Sequence, residues 1–289
     1  MEVHRKMGQR LKGKVAIVTG GGGGIGRGVI LAMHAEGAAV VVADAGVKPD
    51  GVKAADIVVA EVKKLGGQAA ASYDSVTTIV SAQKIIDTAV SNFGRVDVVV
   101  NCAGNFLPAA TVETTQEQWD AIMAVHLGGH FAVSRAAARQ MIKQKSGGSI
   151  TNFASLVAFP AFDPRGTSYS TAKAGVMGFT SALAFELKEQ GIRVNCIFPQ
   201  ATTQLFAGTN PRGRPGIPAT TSLDPGDIAP VIVFFATDEG KNVTGQFVYA
   251  AGGDFSILDR PLKPKVFVRK MGKWTVDELV KVFAGLNLE

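Results

Sequence analysis

Short apolar runs alternate with longer stretches in which apolar residues recur every three or four positions, from residue 14 almost to residue 255. The first run, 14–19 (KVAIVT), is apolar at successive positions, so the strand it predicts must be covered on both faces. Residues 25–37 then carry apolar positions at helical spacing, and 38–43 return to the strand pattern. The same alternation predicts helices over 51–66, 77–93, 115–143, 168–190 and 227–237, and strands over 68–73, 96–101, 148–153, 193–198 and 246–249. Doubly covered strands between helices predict an α/β fold, a Rossmann-type doubly wound parallel sheet. No internal repeat or linker divides the chain. A single domain over 11–255 is expected, after a basic N-terminal tail (1–10) and before a C-terminal extension (256–289) in which 274–279 suggests a short helix.

One internal segment escapes the alternation. Residues 208–226 contain Pro211, Pro215, Pro218, Pro225 and four glycines, too many breakers for regular structure. Two readings stand: a surface loop, or a lid of about 200–226 over an active site.

Composition narrows the class. Hydrophobic residues make up 46% and charged residues 19%, enough for a large core and against disorder. The apolar runs are far too short to span a bilayer, and 1–14 lacks the apolar stretch of a signal peptide. Residues 287–289 are not a peroxisomal address, and the expectation is a cytoplasmic protein without membrane contact. Cys102 and Cys196 fall in strand-like segments and read as buried thiols rather than a disulfide framework. The net charge of +6 gathers at the ends, in Arg5, Lys6, Arg10, Lys12 and Lys14 and in Lys263, Lys265, Arg269, Lys270 and Lys273. Without interleaved aromatics or a groove-reading motif, nucleic acid is not expected. Solvated tails, or attraction to a polyanionic substrate such as a CoA ester, remain open.

Two motifs carry chemistry. Thr19–Gly26 (TGGGGGIG) joins the first strand to the first helix, where glycines let a pyrophosphate approach backbone amides at a helix N-terminus. Asp44 ends the next strand, 24 residues after Gly20, where an acid accepts hydrogen bonds from ribose hydroxyls and repels a 2′-phosphate. Neither Gly23 nor Ala45 supplies an arginine to bind that phosphate, so NAD is the expected cofactor. Tyr169 and Lys173 lie one turn apart on one helix face. A lysine ammonium close to a phenol lowers its pKa, preparing the tyrosine for proton transfer. A nucleotide cradle with an acid/base tyrosine points to hydride transfer at an alcohol carbon.

Thr19 to Gly26, Asp74, Asn101-Cys102-Ala103-Gly104, Ser155 and Tyr169-x-x-x-Lys173, in that order, resemble the short-chain dehydrogenase/reductase family over about residues 11–255. The resemblance implies that Asp74 binds the adenine edge and Asn101 braces the strand beside the cofactor. It implies cofactor contacts also from Gly20, Gly24, Ile25, Gly26, Ser75, Ala103, Gly104 and Thr202. Ser155 would hydrogen-bond the substrate oxygen, Tyr169 would exchange its proton, and Lys173 would hold the nicotinamide ribose. Pro199 would begin the segment covering the nicotinamide. A four-helix dimer interface from the helices near 115–143 and 168–190, usually within a tetramer, is implied too, so a homodimer or homotetramer is expected.

Departures from the family pattern are informative. Cys102 stands where a second asparagine is usual, and Gln200 follows Pro199 in place of glycine. His126 takes the place of an asparagine whose relay runs through a main-chain carbonyl to the lysine, and it is counted with the catalytic residues. His126 and His130 are four apart, as in a metal pair, but no acid or cysteine ligand is evident nearby and no metal is expected. Tyr73-Asp74-Ser75-Val76, Val125-His126-Leu127 and the basic extension resemble the (3R)-hydroxyacyl-CoA dehydrogenase module of peroxisomal multifunctional β-oxidation enzymes and its free-standing bacterial relatives. Asp163-Pro164-Arg165 and the proline-rich lid depart from that branch at the pocket. Candidate pocket walls are Phe106, Leu107, Leu156, Phe159, Phe162, Gln200 and Phe206, apolar enough to favour an acyl chain, alicycle or steroid over a sugar.

The leading expectation is an NAD-dependent dehydrogenase interconverting a lipophilic secondary alcohol or 3-hydroxyacyl thioester and its ketone. An NADPH-dependent carbonyl or 3-oxoacyl reductase is the alternative among enzymes, opposed by Asp44. A non-catalytic NAD-binding sensor or scaffold is the alternative outside them, opposed by the intact Ser155, Tyr169 and Lys173.

Overall fold

Eight segments of the computed structural model are strands: β1 (Val15–Thr19), β2 (Ala39–Ala43), β3 (Ala69–Ser72), β4 (Val98–Asn101), β5 (Gly148–Phe153), β6 (Ile192–Pro199), β7 (Phe247–Ala251) and β8 (Asp254–Leu258). The residues described are 8–158, 166–203, 217–259 and 282. Among them the strands form one sheet in the order β3-β2-β1-β4-β5-β6-β7-β8, parallel except for the antiparallel pair β7–β8. The chain starts in the middle, winds outward through β2 and β3, then returns to place β4 beside β1. That reversal opens a crevice at the carboxyl ends of β1 and β4, where doubly wound sheets bind ligands.

Successive strand residues point to opposite faces, and each face is buried. Ala16, Val18, Val40, Val42, Val98 and Val100 pack against α1 (Gly24–Ala35), α2 (Ala54–Lys64) and α7 (Ala229–Ala236), through side chains such as Ile30, Met33, Val58 and Ile232. Their neighbours Ile17, Val41 and Val99, with Ile150 and Val194, meet α3 (Ile79–Phe93), α5 (Gly129–Gln144) and α6 (Thr167–Glu186). The doubly apolar runs of the sequence are therefore interior strands of a three-layer sandwich. Helix ends follow local chemistry. Thr78 accepts from the Ser81 amide at 3.1 Å to start α3, and Gly94 in the left-handed region stops it.

Three features differ from the pattern-based expectation. The stretch expected as one helix over 115–143 is α4 (Gln116–Met123), a π turn (Ala124–Gly128) and then α5. The wider turn shifts α5 by one residue, about 100° of helical phase. At Gly129 a Cβ would lie 2.7 Å from Val76 Cγ2, so the close approach of residue 76 requires glycine there. The second helix starts at Ala54 rather than 51, because Val47 and Lys53 pair across a tight turn whose Gly51 has φ 84°. Finally, β8 continues the sheet past residue 255. Residues 1–258 form one compact unit and Asp259–Glu289 another, of which only Asp259 and residue 282 are described. The helix expected at 274–279, and 204–216 of the expected lid, lie outside the described residues. Among the described residues, no helix is long and apolar enough to cross a membrane.

Candidate active site

A cavity of about 630 Å³ lies at the carboxyl ends of the central strands. Its walls come from the β1–α1 loop, the turn after β2, the ends of β4, β5 and β6, and α6. The volume is within the range of sites for small ligands and cofactors.

One end is the glycine cradle. Gly20 has φ +66°, and a Cβ there would lie 2.9 Å from Ala103 Cα; at Gly26 a Cβ would overlap the Gly20 carbonyl oxygen. At Gly23, by contrast, a Cβ would meet nothing within 4 Å. The first turn of α1 has neither a side-chain cap nor an acid, so its amides and dipole favour an anion. Asp44 stands beside it, with Oδ2 accepting from the Gly22 amide at 2.9 Å and Oδ1 from the Gly46 amide at 2.7 Å. Each oxygen keeps a lone pair for a hydroxyl. Uncapped amides next to a fixed carboxylate fit the pyrophosphate and ribose of a dinucleotide.

The turn after Asp44 adds wall residues that sequence reasoning missed. Lys48 N–H donates to the Val52 carbonyl at 2.8 Å and Ala54 N–H to that of Gly46 at 2.9 Å, which brings Val47, Lys48 and Pro49 to the cavity. The signal available was Asp50-Gly51, a turn pair between short apolar positions.

At the other end Ser155, Tyr169 and Lys173 share the wall with Cys102, Gly104, His126 and Pro199. Ser155 follows β5, while Tyr169 and Lys173 project from α6 and are almost completely buried. Ser155 Oγ accepts from the Val157 amide at 3.4 Å and stands near enough to the Tyr169 phenol to lower its pKa. The Lys173 ammonium donates to the Phe153 carbonyl at 2.6 Å and lies 5.6 Å from the phenol ring centre. Burial pushes the Tyr169 phenol above its ordinary value, with the nearby Ser155 hydroxyl opposing. Burial also pulls Lys173 down, to about 8. In the protein alone, then, the phenol is raised, and the lowering expected from Lys173 is not among the effects acting on it.

Tyr169 is gripped on two sides. The Phe106 ring meets it edge-on at 5.4 Å and the His126 ring at 5.1 Å. His126 sits in the π turn, with Nε2 2.8 Å from the Asn105 carbonyl oxygen and 3.2 Å from its amide nitrogen. Burial and then Lys173 drive its pKa down to about 3, so the ring is neutral. The Cys102 thiol is pushed up to about 12 by burial and stays protonated.

Other expected residues stand off the cavity wall. Asp74 accepts from Ser72 Oγ at 3.3 Å and lies 3.9 Å from the Lys84 ammonium, and Ser75 Oγ bonds Thr77 Oγ1 at 3.0 Å. Asn101 Nδ2 donates to Ser134 Oγ at 2.9 Å and Asn152 Oδ1 at 2.8 Å, and Asn152 Nδ2 donates to Thr180 Oγ1 at 3.0 Å. That buried polar chain ties β4, β5, α5 and α6 together behind the site. The Ala103 amide donates to Thr19 Oγ1 at 3.1 Å, and the Thr202 amide to the Leu223 carbonyl at 2.9 Å. Gln200 Oε1 accepts from Tyr249 at 3.2 Å. Leu156 packs on the cluster around Phe198 and Tyr249, and Leu107 is exposed. Phe159, Phe162 and Phe206, like Asp163-Pro164-Arg165, lie outside the described residues. Among the described residues, no group of three or more His, Cys, Asp or Glu side chains could hold a metal ion.

Comparison with known proteins agrees with this geometry. The model of a family described as short chain dehydrogenase matches residues 14–212. The chain is 36% identical over 247 residues to mouse peroxisomal multifunctional enzyme type 2, covering 84% of this chain and 32% of that protein. It thus spans between 26% and 40% of the multifunctional enzymes it matches. Two free-standing relatives match over 98% of their own length. The 3-oxoacyl-acyl-carrier-protein reductase of Thermotoga maritima is 35% identical over 84% of this chain, and rat (3R)-3-hydroxyacyl-CoA dehydrogenase 34% over 85%. The crystal structure of a short chain dehydrogenase from Mycobacterium avium superposes with a TM-score of 0.84 at 35% identity, covering 95% of this chain and 94% of that one.

Proposed function

The chain belongs to the short-chain dehydrogenase family, whose members are oxidoreductases that bind a nicotinamide cofactor, and on that premise we propose that it is an NAD-dependent dehydrogenase of 3-hydroxyacyl thioesters or similar lipophilic secondary alcohols. The observation that carries this reading is one cavity with Asp44 at its ribose end and Ser155, Tyr169 and Lys173 together at the other. Both free-standing relatives are named for acyl thioesters oxygenated at carbon 3, which supports that substrate class.

In this mechanism Ser155 hydrogen-bonds the substrate oxygen and holds the carbinol carbon toward the cofactor. Tyr169 takes the hydroxyl proton in oxidation and returns it in reduction. Lys173 binds the nicotinamide ribose and keeps a positive charge near the phenolate. A nicotinamide cofactor held along this cavity by the glycine cradle, Asp44 and Lys173 would supply the hydride acceptor in oxidation and the hydride donor in reduction. His126 and Phe106 hold the Tyr169 ring edge-on from two sides. Asp44 selects the 2′-hydroxyl, while Lys48 on the same wall and the 3-oxoacyl reductase relative favour the alternative, an NADPH-dependent reductase. Half-exposed Phe131 and Ile142 on α5 and the more exposed Phe185 on α6 support a homodimer or homotetramer built on that pair of helices.

The test is a panel of 3-hydroxyacyl-CoA esters and apolar secondary alcohols with NAD and NADP, following the reduced cofactor. NAD should be used at least about tenfold better than NADP. Tyr169→Phe should lower kcat at least about a hundredfold while NAD binding stays near normal, because only the phenolic proton is lost. Near-normal turnover in that variant, or a preference for short polyols, overturns the assignment.

A further inference from the structure

His130 is buried with 1% of its surface exposed, one helical turn after His126, in a molecule whose proposed mechanism gives it no part. The π turn and α5 that follows it present His126-x-x-x-His130, and the neighbouring α6 presents Tyr169-x-x-x-Lys173 at the same spacing. The two pairs correspond member to member. His126 meets the Tyr169 ring edge-on. His130 reaches Lys173 through one residue of backbone: its Nε2 accepts from the Phe153 amide at 3.2 Å, and the Phe153 carbonyl accepts from Lys173 Nζ at 2.6 Å. Phe153 is the last residue of β5, two positions before Ser155. One imidazole therefore fixes the strand end from which both the lysine anchor and the serine take their positions.

We propose that His130 is a positioning residue for the reaction: by accepting from the Phe153 amide it holds the Phe153 carbonyl in place as the anchor of Lys173, and so sets the distance from the ammonium to the Tyr169 phenol. This rests on the dehydrogenase reading above. A neutral ring is required, since an imidazolium would repel the ammonium it positions. The surroundings enforce that state. Burial, the Lys173 ammonium from α6 and His126 from the π turn all hold His130 well below the usual histidine range. The backbone carbonyls of His126 and Asn101 also reach the ring and act in the opposite sense. Among the described residues, no carboxylate acts on it. A ring that accepts at Nε2 carries its proton on Nδ1.

Two variants of the full chain separate positioning from simple filling of the core. His130→Leu keeps an apolar volume without an acceptor, whereas His130→Gln keeps an acceptor within reach of the Phe153 amide. For alcohol oxidation, His130→Leu should lower kcat about tenfold or more with KM changed less than about threefold, since misplaced reacting groups lose rate more than binding. The pH profile of kcat should move up by about one unit as the phenol loses its ammonium neighbour. His130→Gln should recover most of the rate and the original profile. A folded His130→Leu enzyme with unchanged kcat and profile overturns the proposal, as does a folded His130→Gln enzyme as impaired as the leucine variant. Nitrogen-15 NMR of the wild-type imidazoles decides the matter if the leucine variant does not fold. His130 should stay neutral with unprotonated Nε2 from about pH 5 to 8, and a proton on Nε2 would refute the role. That measurement needs no turnover, so it also separates this proposal from a failure to oxidise any alcohol.

Discussion

Lys173 must carry a positive charge where burial opposes one, and this conflict sets a pH limit on the site. Its folded-state value is drawn below that of a free lysine, to about 8, so the ammonium persists below that pH and is lost above it. Both the ribose contact and the charge beside Tyr169 go with the proton. Because kcat/KM for the cofactor reports ionisations of the free enzyme, it should decline above about pH 8 along a one-proton limb. In Lys173→Arg, which keeps its charge, that limb should disappear even where the maximal rate is lower. A wild-type profile still rising at pH 10 would contradict the assignment. At this scale the sequence was explicit about side chains whose spacing is their chemistry: Tyr169 with Lys173, and Asp44 at a strand tip. It offered His130 only as half of a metal-like pair with His126, because what matters there is the Phe153 amide, which becomes a partner only when α5 packs on β5.

Elements were legible wherever burial imposed a period. Most strands with both faces covered showed as apolar runs, and β5 (Gly148–Phe153), although it buries Ser149, Thr151 and Asn152, has the bounds read from the pattern. What could not be read was local geometry decided by neighbours. The helix pattern runs without a break through 115–143, yet contact between Gly129 and Val76 accompanies a π turn at 124–128 and brings His126 edge-on to Tyr169. Strand β8 was missed for a different reason. It lies at the sheet edge with Phe255 and Ile257 exposed, so it has no doubly buried signature. The turn over 46–53 was absorbed into the helix after it, although Asp50-Gly51 marked it.

For the whole molecule the net charge of +6 is the property with a measurable consequence. Part of it is locally answered: Arg10 lies 3.1 Å from Glu36 and 3.7 Å from Glu239, and Lys14 lies 2.6 Å from Asp238. Exposed pairs of this kind add little stability, but they reduce the local positive field. The C-terminal group from Lys263 to Lys273 lies outside the described residues. If the substrate carries CoA phosphates, its approach is steered by the excess charge, and a Debye length of about 10 Å at 0.1 M salt screens that attraction. Hence kcat/KM for a 3-hydroxyacyl-CoA should fall several-fold between low and high ionic strength, while a neutral alicyclic alcohol should show almost no change. Equal salt dependence for the two would remove the CoA ester from consideration.

Asp44 also determines how readily the enzyme's cofactor allegiance can be rewritten. Its two oxygens occupy two converging backbone donors, the amides of Gly22 and Gly46. Delete the carboxylate, and those N–H groups are left pointing into vacated space with Lys48 on the adjoining wall. Such a pocket attracts a phosphate monoester instead of repelling it. A single codon thus separates the two preferences: in Asp44→Ala, KM for NAD should rise and KM for NADP should fall until the ratio approaches unity. An unchanged NAD-to-NADP ratio in that variant would mean that discrimination resides elsewhere in the cavity. If Asp44 selects NAD as proposed, the same scaffold holds most of what the opposite selectivity would need, leaving cofactor choice one mutational step deep.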